Sequence, residues 1–143
     1  MRNSFSFQKT YSLCIIAPMN MHESGEMYLE TILRLSEKRK IVRSIDVAEA
    51  MGYSKPSISR AMKNLREDGY IEIDPITGHI TLLKKGKSVA DKIYERHKVL
   101  SQCLELLGVS PETAEDDACR IEHVISEETF NALKKHIEKY GND

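Results

Sequence analysis

The chain has 143 residues, 41% of them hydrophobic and 30% charged, with a formal net charge of −1. That balance excludes a disordered chain and leaves room for one domain, or two small ones sharing a core. No run reaches the roughly 18 apolar residues of a membrane helix, and Cys14, Cys103 and Cys119 form neither a disulfide framework nor a C-x-x-C pair, which points to a reducing, cytoplasmic setting.

The first twenty residues, MRNSFSFQKTYSLCIIAPMN, carry two bases, no acid and a short apolar run. The run is too short for a secretory signal. Residues 1–21 are expected to be a disordered extension, or to precede a natural start at Met19 or Met21. A helix over 24–38 follows, with Met27, Leu29, Ile32, Leu33 and Leu35 near helical spacing and Ser24 as its cap.

In SIDVAEAMGYSKPSISRAMKNLREDGYI, a short helix runs from an N-cap at Ser44 to about Met51. Gly52 allows the positive φ of a tight turn. Ser54 caps a second helix that tolerates Pro56 in its first turn. Ile58, Ala61, Met62 and Leu65 recur at i, i+3, i+4, i+7 as one buried stripe, and Gly69 closes the helix. The period then switches to two in YIEID and HITLL, separated by PITG, which predicts a hairpin over 70–83. A long helix is expected over 84–107, with Val89, Ile93, Leu100, Leu104 and Leu107 on one side and Gly108 as its stop. Pro111 opens another over about 111–124, and Ser126 starts a last one reaching about Lys139.

Two short helices around a glycine turn, followed by a hairpin, predict a winged helix-turn-helix. Its second helix presents Ser54, Lys55, Pro56, Ser57, Ser59, Arg60 and Lys63 as DNA-contacting residues: hydroxyls for phosphates, long bases for phosphates or guanine edges. Lys84, Lys85 and Lys87 lie just past the wing. Charge agrees: residues 53–87 hold seven bases and four acids, whereas 105–143 hold four bases and ten acids. A winged helix used only for protein contacts is the competing reading.

The stretch DDACRIEHVIS places Cys119, Glu122 and His123 within about 100° of arc on a helix, with Glu115 on the same side. Thiolate, carboxylate and imidazole together suit a divalent metal. The same residues also allow a buried core cysteine beside a solvated Glu122–His123 pair, or a Cys119–His123 nucleophile. H-E-x-x-H, Gly-rich phosphate-loop and G-x-S-x-G patterns are missing from the sequence, and the expectation is that the protein is not an enzyme.

EMYLETI, SKPSISRAMKNLREDGYI, KKGKSVADKIYERH and above all DDACRIEHVIS resemble the diphtheria-toxin-repressor family of metal-dependent bacterial transcriptional repressors, over about residues 22–140. The resemblance implies a mainly α chain. A winged helix-turn-helix domain (22–87) is followed by a helical metal-binding and dimerisation domain (88–143), without the further C-terminal SH3-like domain of longer members. It also implies a homodimer that binds double-stranded palindromic operators of metal-uptake genes, with metal as co-repressor. Carried over by position, Met27, Cys119, Glu122 and His123 form the metal site. His97 belongs to a possible second site, where Ser101 stands in place of a carboxylate and Glu115 in place of a histidine. Glu30 matches a ligand of the manganese branch. Soft thioether and thiolate donors favour iron(II) as the native metal. Manganese(II) is the alternative, in keeping with the short chain, and cobalt, nickel or zinc could substitute in vitro.

Overall fold

The computed structural model describes residues 21–141; the expected N-terminal extension lies outside them, save for Met21. The chain divides inside its longest helix, between Asp91 and Lys92, into two compact units. The first contains α1 (Met21–Lys38), α2 (Ser44–Met51), α3 (Lys55–Glu67), β1 (Ile71–Ile73), β2 (Ile80–Leu82) and the start of α4 (Lys84–Leu106). The second contains the rest of α4, α5 (Pro111–Ile121) and α6 (Glu127–Tyr140). The described residues are mainly helical with one two-stranded antiparallel sheet, as the patterning predicts. Among the described residues no helix is long and apolar enough to cross a membrane.

Two expected caps are placed differently. Ser24 lies inside α1, which starts at Met21, because nothing in Met-His-Glu breaks a helix and Glu23 complements its positive end. The N-cap of α2 is Arg43, in extended conformation, and Ser44 is the first helical residue. Asp46, three residues in, accepts the Arg43 backbone N–H at 2.8 Å and the Arg39 guanidinium at 2.6 Å. An acid in the first turn thus replaces the serine cap.

The α2–α3 turn follows the sequence closely. Gly52 caps α2 at φ 69°, and the Ser54 hydroxyl accepts the Ser57 backbone N–H. Ile58, Met62 and Leu65 point α3 into the core, each contributing about 1.5–3 kcal/mol through removal from water. Gly69, at φ 80°, lets the chain leave α3: its N–H donates to Arg66 O and that of Tyr70 to Leu65 O, closing the last carbonyls of the helix.

The hairpin pairs Ile71 with Leu82, Glu72 with Thr81 and Ile73 with Ile80. Asp74 builds its tip by accepting the backbone N–H groups of Ile76 and Thr77, each at 2.8 Å. The hairpin is tied to the α1–α2 loop at Val42, whose carbonyl accepts Ile80 N–H at 2.7 Å and whose N–H donates to His79 Nδ1 at 3.0 Å. Gly86 lets α4 pass close to the start of the hairpin; a Cβ there would stand 2.1 Å from Tyr70 O.

In the second unit, Ser110 and Ser126 cap α5 and α6 by accepting the N–H groups of Thr113 and Thr129. Helix α5 ends at Ile121 rather than near 124. Glu122 is its C-cap, at φ −56° and ψ −28°, so it keeps nearly the helical track while His123 sits in the turn beyond. The helix stops there because Ser126 already opens α6 and the carbonyls of Glu122 and Ile125 are taken by Arg96. The expected stripe on α4 is buried at Ile93 and Leu100 but surfaces towards its end: Leu107, just past the helix, is 80% exposed.

Candidate metal centre and DNA-reading face

In the second unit, α4 brings His97 against the C-terminal end of α5. His97 Nδ1 lies 2.8 Å from Glu122 Oε2, and its Nε2 lies 2.9 Å from Glu115 Oε1. His123 Nε2 stands 3.2 Å from the other Glu122 oxygen. The Glu122 side chain is wholly buried, and those of His97 and His123 are each 3% exposed. Cys119, on the same helix one turn earlier, is buried as well. Burial opposes a charge on His97, yet hydrogen bonds to Glu115 and Glu122 and the attraction of both carboxylates outweigh it and push its pKa up to about 10.

Acidic side chains are almost never fully buried unless paired or bound to a cation. Two carboxylates and two imidazoles clustered between α4 and α5, with a buried thiol one turn before Glu122, therefore fit a divalent transition metal in kind. Of the residues singled out in the sequence, the structure brings His97, Glu115, Glu122 and His123 together. Ser101, one turn along α4 from His97, is buried but offers only a hydroxyl. Met27 and Glu30 lie three residues apart on α1 of the first unit, each 1% exposed, with Glu30 3.6 Å from the Arg34 guanidinium.

Arg96 was not apparent as a functional residue. Its Nη1 donates to Glu122 O at 3.2 Å and to Ile125 O at 3.1 Å, its Nη2 to the Glu127 carboxylate at 2.6 Å, and its guanidinium lies over the Phe130 ring. The one signal available was an arginine three residues after Ile93 and four before Leu100, inside an apolar stripe.

In the first unit Ser54, Lys55, Pro56, Ser57, Ser59, Arg60 and Lys63 are all exposed along α3 and its N-terminus, opposite the buried Ile58–Met62–Leu65 stripe. Ser54 and Ser57 are joined by a hydroxyl hydrogen bond of 2.8 Å. Past the wing, Lys85 donates to Asp68 O and lies 4.1 Å from the Tyr70 ring centre, and Lys87 pairs with Asp91 at 2.8 Å. Those two lysines thus also serve the fold of the unit.

Comparison with known proteins assigns both units. Residues 20–78 match the family described as iron dependent repressor, N-terminal DNA binding domain. Residues 83–143 match iron dependent repressor, metal binding and dimerisation domain. The transcriptional regulator MntR of Escherichia coli O6:H1 is 37% identical over 114 residues, covering 80% of this chain and 73% of its own. An uncharacterized HTH-type transcriptional regulator of Methanocaldococcus jannaschii is 34% identical over 122 residues, covering 84% of this chain and 97% of its own. Among solved structures, that of the manganese regulator SloR matches with a TM-score of 0.70 at 27% identity, covering 80% of this chain and 53% of that one. The chain therefore spans about half the length of that structure. With a helix-turn-helix in one unit, a buried ligand-type cluster in the other, and the two family models together matching most of the chain, the chain belongs to the diphtheria-toxin-repressor, or iron-dependent repressor, family of metal-dependent transcriptional regulators, which are not enzymes.

Proposed function

We propose that this protein is a homodimeric repressor that binds a palindromic operator when manganese(II) is present, and that its regulated genes serve metal uptake. The observation that carries the reading is the cluster of buried His97, Glu122 and His123 side chains, with the part-exposed Glu115 against His97, within the metal-binding and dimerisation domain. Cys119, Glu122 and His123 are the donors of the second unit, and the family resemblance adds Met27 on α1. His97, Glu115 and Glu30 are the candidates for a second ion.

The soft donors Met27 and Cys119 led to an expectation of iron(II). Carboxylate and imidazole donors outnumber them, and hard oxygen ligands suit manganese. The similarity to a protein described as a manganese regulator supports the same choice. Iron(II) is the second reading, carried by the buried thiol of Cys119.

The residues of the chain divide the work. Ser54, Ser57 and Ser59 offer hydroxyls to phosphates, and Lys55, Arg60 and Lys63 offer charge or guanine contacts. A two-fold dimer presents two such helices to two half-sites of a palindrome. The ion, when bound, supplies a charge whose coordination is coupled to operator affinity, and operator DNA must tighten ion binding by the same factor.

The test is an anaerobic anisotropy titration with a duplex enriched from a random pool in the presence of manganese(II), comparing manganese(II), iron(II) and zinc(II). Manganese(II) should give the strongest activation relative to its binding constant; iron(II) doing so would replace it as the native ion. Cys119→Ala and His123→Ala should each remove the metal-dependent part of binding. Metal-dependent operator binding retained in both variants would overturn the site.

A further inference from the structure

We infer that Arg96 is a positioning residue for the metal site: it fixes the backbone of the turn that carries Glu122 and His123. This rests on the assignment of those two residues as ligands. Arg96 and His97 are consecutive on α4 and hold the same segment in different ways. His97 meets the Glu122 side chain, while Arg96 takes the Glu122 main-chain carbonyl. The second bond of Arg96, to Ile125 O, spans the other side of His123. The turn 122–125 is therefore gripped at both ends by one guanidinium.

The chemistry explains why an arginine is needed. Carbonyls at the C-terminal end of a helix have no partner within the helix, and together they carry partial negative charge. A guanidinium presents several N–H groups in a rigid fork, so one residue can serve two carbonyls and a carboxylate together. Glu127, the first residue of α6, receives Nη2 and also stands 3.4 Å from Lys92. The Arg96 hydrogen bond, helped by Lys92, holds the Glu127 carboxyl below its usual range. The Phe130 ring lies 5.4 Å from the guanidinium carbon. Carboxylate and ring aim the fork, and the fork holds the turn. Ligand orientation is thereby set by α4 before any ion arrives. Such supporting contacts are typically worth 10–100-fold in metal affinity.

The experiment uses the full chain without DNA and titrates manganese(II) by calorimetry and cobalt(II) by absorption. The proteins compared are the wild type, Arg96→Met, Arg96→Lys, Glu127→Gln, Cys119→Ala and His123→Ala. Arg96→Met should weaken manganese(II) binding on the order of 10–100-fold and alter the cobalt(II) spectrum at saturation. Arg96→Lys, with one ammonium in place of the fork, should show an intermediate loss, and Glu127→Gln a smaller one. An arginine that merely stabilises the fold would lower the melting temperature and leave the binding constant and the cobalt(II) spectrum of the folded protein unchanged; that result overturns the inference. If Arg96→Met does not fold, unchanged binding in Arg96→Lys has the same force. Wild-type manganese(II) binding by both Cys119→Ala and His123→Ala would instead refute the ligand assignment on which the inference stands.

Discussion

In the first unit the interior is chiefly aliphatic: Ile32, Val42, Val47 and Ile58 are fully buried beside Met51, Met62, Ile71 and Ile80, with Glu30 and Thr31 of α1 buried among them. The second unit buries Ile93, Leu100, Ala114, Ala118, Cys119 and Phe130, but with them Arg96, His97, Ser101 and Glu122. Apolar burial is non-directional and depends little on pH or ligand. A buried charge is tolerated only while its partners are in place. Apart from α1, where Glu30 and Thr31 are buried, the DNA-reading unit is thus held by apolar contacts that need no partner, and the metal-binding unit holds its shape according to what neutralises Glu122 and His97.

The largest effect that would sharpen this contrast is at Glu122. Glu122→Gln removes the charge facing His97 and His123 with little change in volume. Breaking a buried pair costs about 3–5 kcal/mol, and the loss should be seen in urea unfolding of the metal-free protein. A loss under 1 kcal/mol would mean that the second unit does not depend on this charge. Ile58→Ala is its counterpart in the first unit, opening a cavity for a cost of about 2–5 kcal/mol. Manganese(II) should raise amide-exchange protection in residues 92–141 and leave the cost of Ile58→Ala unchanged. Binding stabilises by about 2.7 kcal/mol at a hundred times the dissociation constant. Equal protection of 44–67 and 92–141 by the metal would break the contrast.

These differences also explain what could be read without coordinates. The helix-turn-helix was legible because its signals are local: Gly52, the Ser54 cap and the Ile58–Met62–Leu65 stripe lie within fourteen residues. Two caps, at Ser24 and Ser44, were misplaced because serine is only one way to start a helix, and Asp46 supplies another. In the second unit, ligand-type residues in DDACRIEHVIS were visible, but the partners of Glu122 were not. His97 lies 25 positions away, and the apolar period of α4 says nothing about which polar group it will meet. Arg96 stayed hidden for the same reason: its function is a set of bonds to backbone carbonyls, which have no signature in sequence.

A smaller effect separates surface from interior within the first unit. Arg60 is exposed on α3, where its side chain contributes nothing to the buried stripe. Arg60→Ala should therefore weaken operator binding by about 1–3 kcal/mol with no change in melting temperature. Metal affinity measured without DNA should stay at the wild-type value, since the coupling is expressed only when both ligands are present. A change in metal affinity of the DNA-free protein would mean that α3 is not purely a reading surface.

The smallest effect is at the tip of the wing, where a surface charge of the first unit shapes the backbone. Asp74 is exposed, yet the backbone N–H groups of Thr77 and Ile76 bind its carboxylate and hold its pKa below the usual range, with the Thr77 side chain contributing further. A depressed carboxylate pKa means that the folded turn prefers the ionised form. Its contribution is complete above the ordinary aspartate value of 3.8 and is lost as pH falls through the lower folded value. The amide resonances of Ile76 and Thr77 should accordingly move together on acidification, with a midpoint below 3.8, while those of the α3 core stay fixed. Asp74→Asn should abolish that titration and loosen the turn without unfolding the hairpin, because Val42 still binds Ile80 and His79 from the α1–α2 loop. If the hairpin pairing were lost along with the tip, the wing would depend on its own turn for its shape, and the tie to Val42 would be secondary.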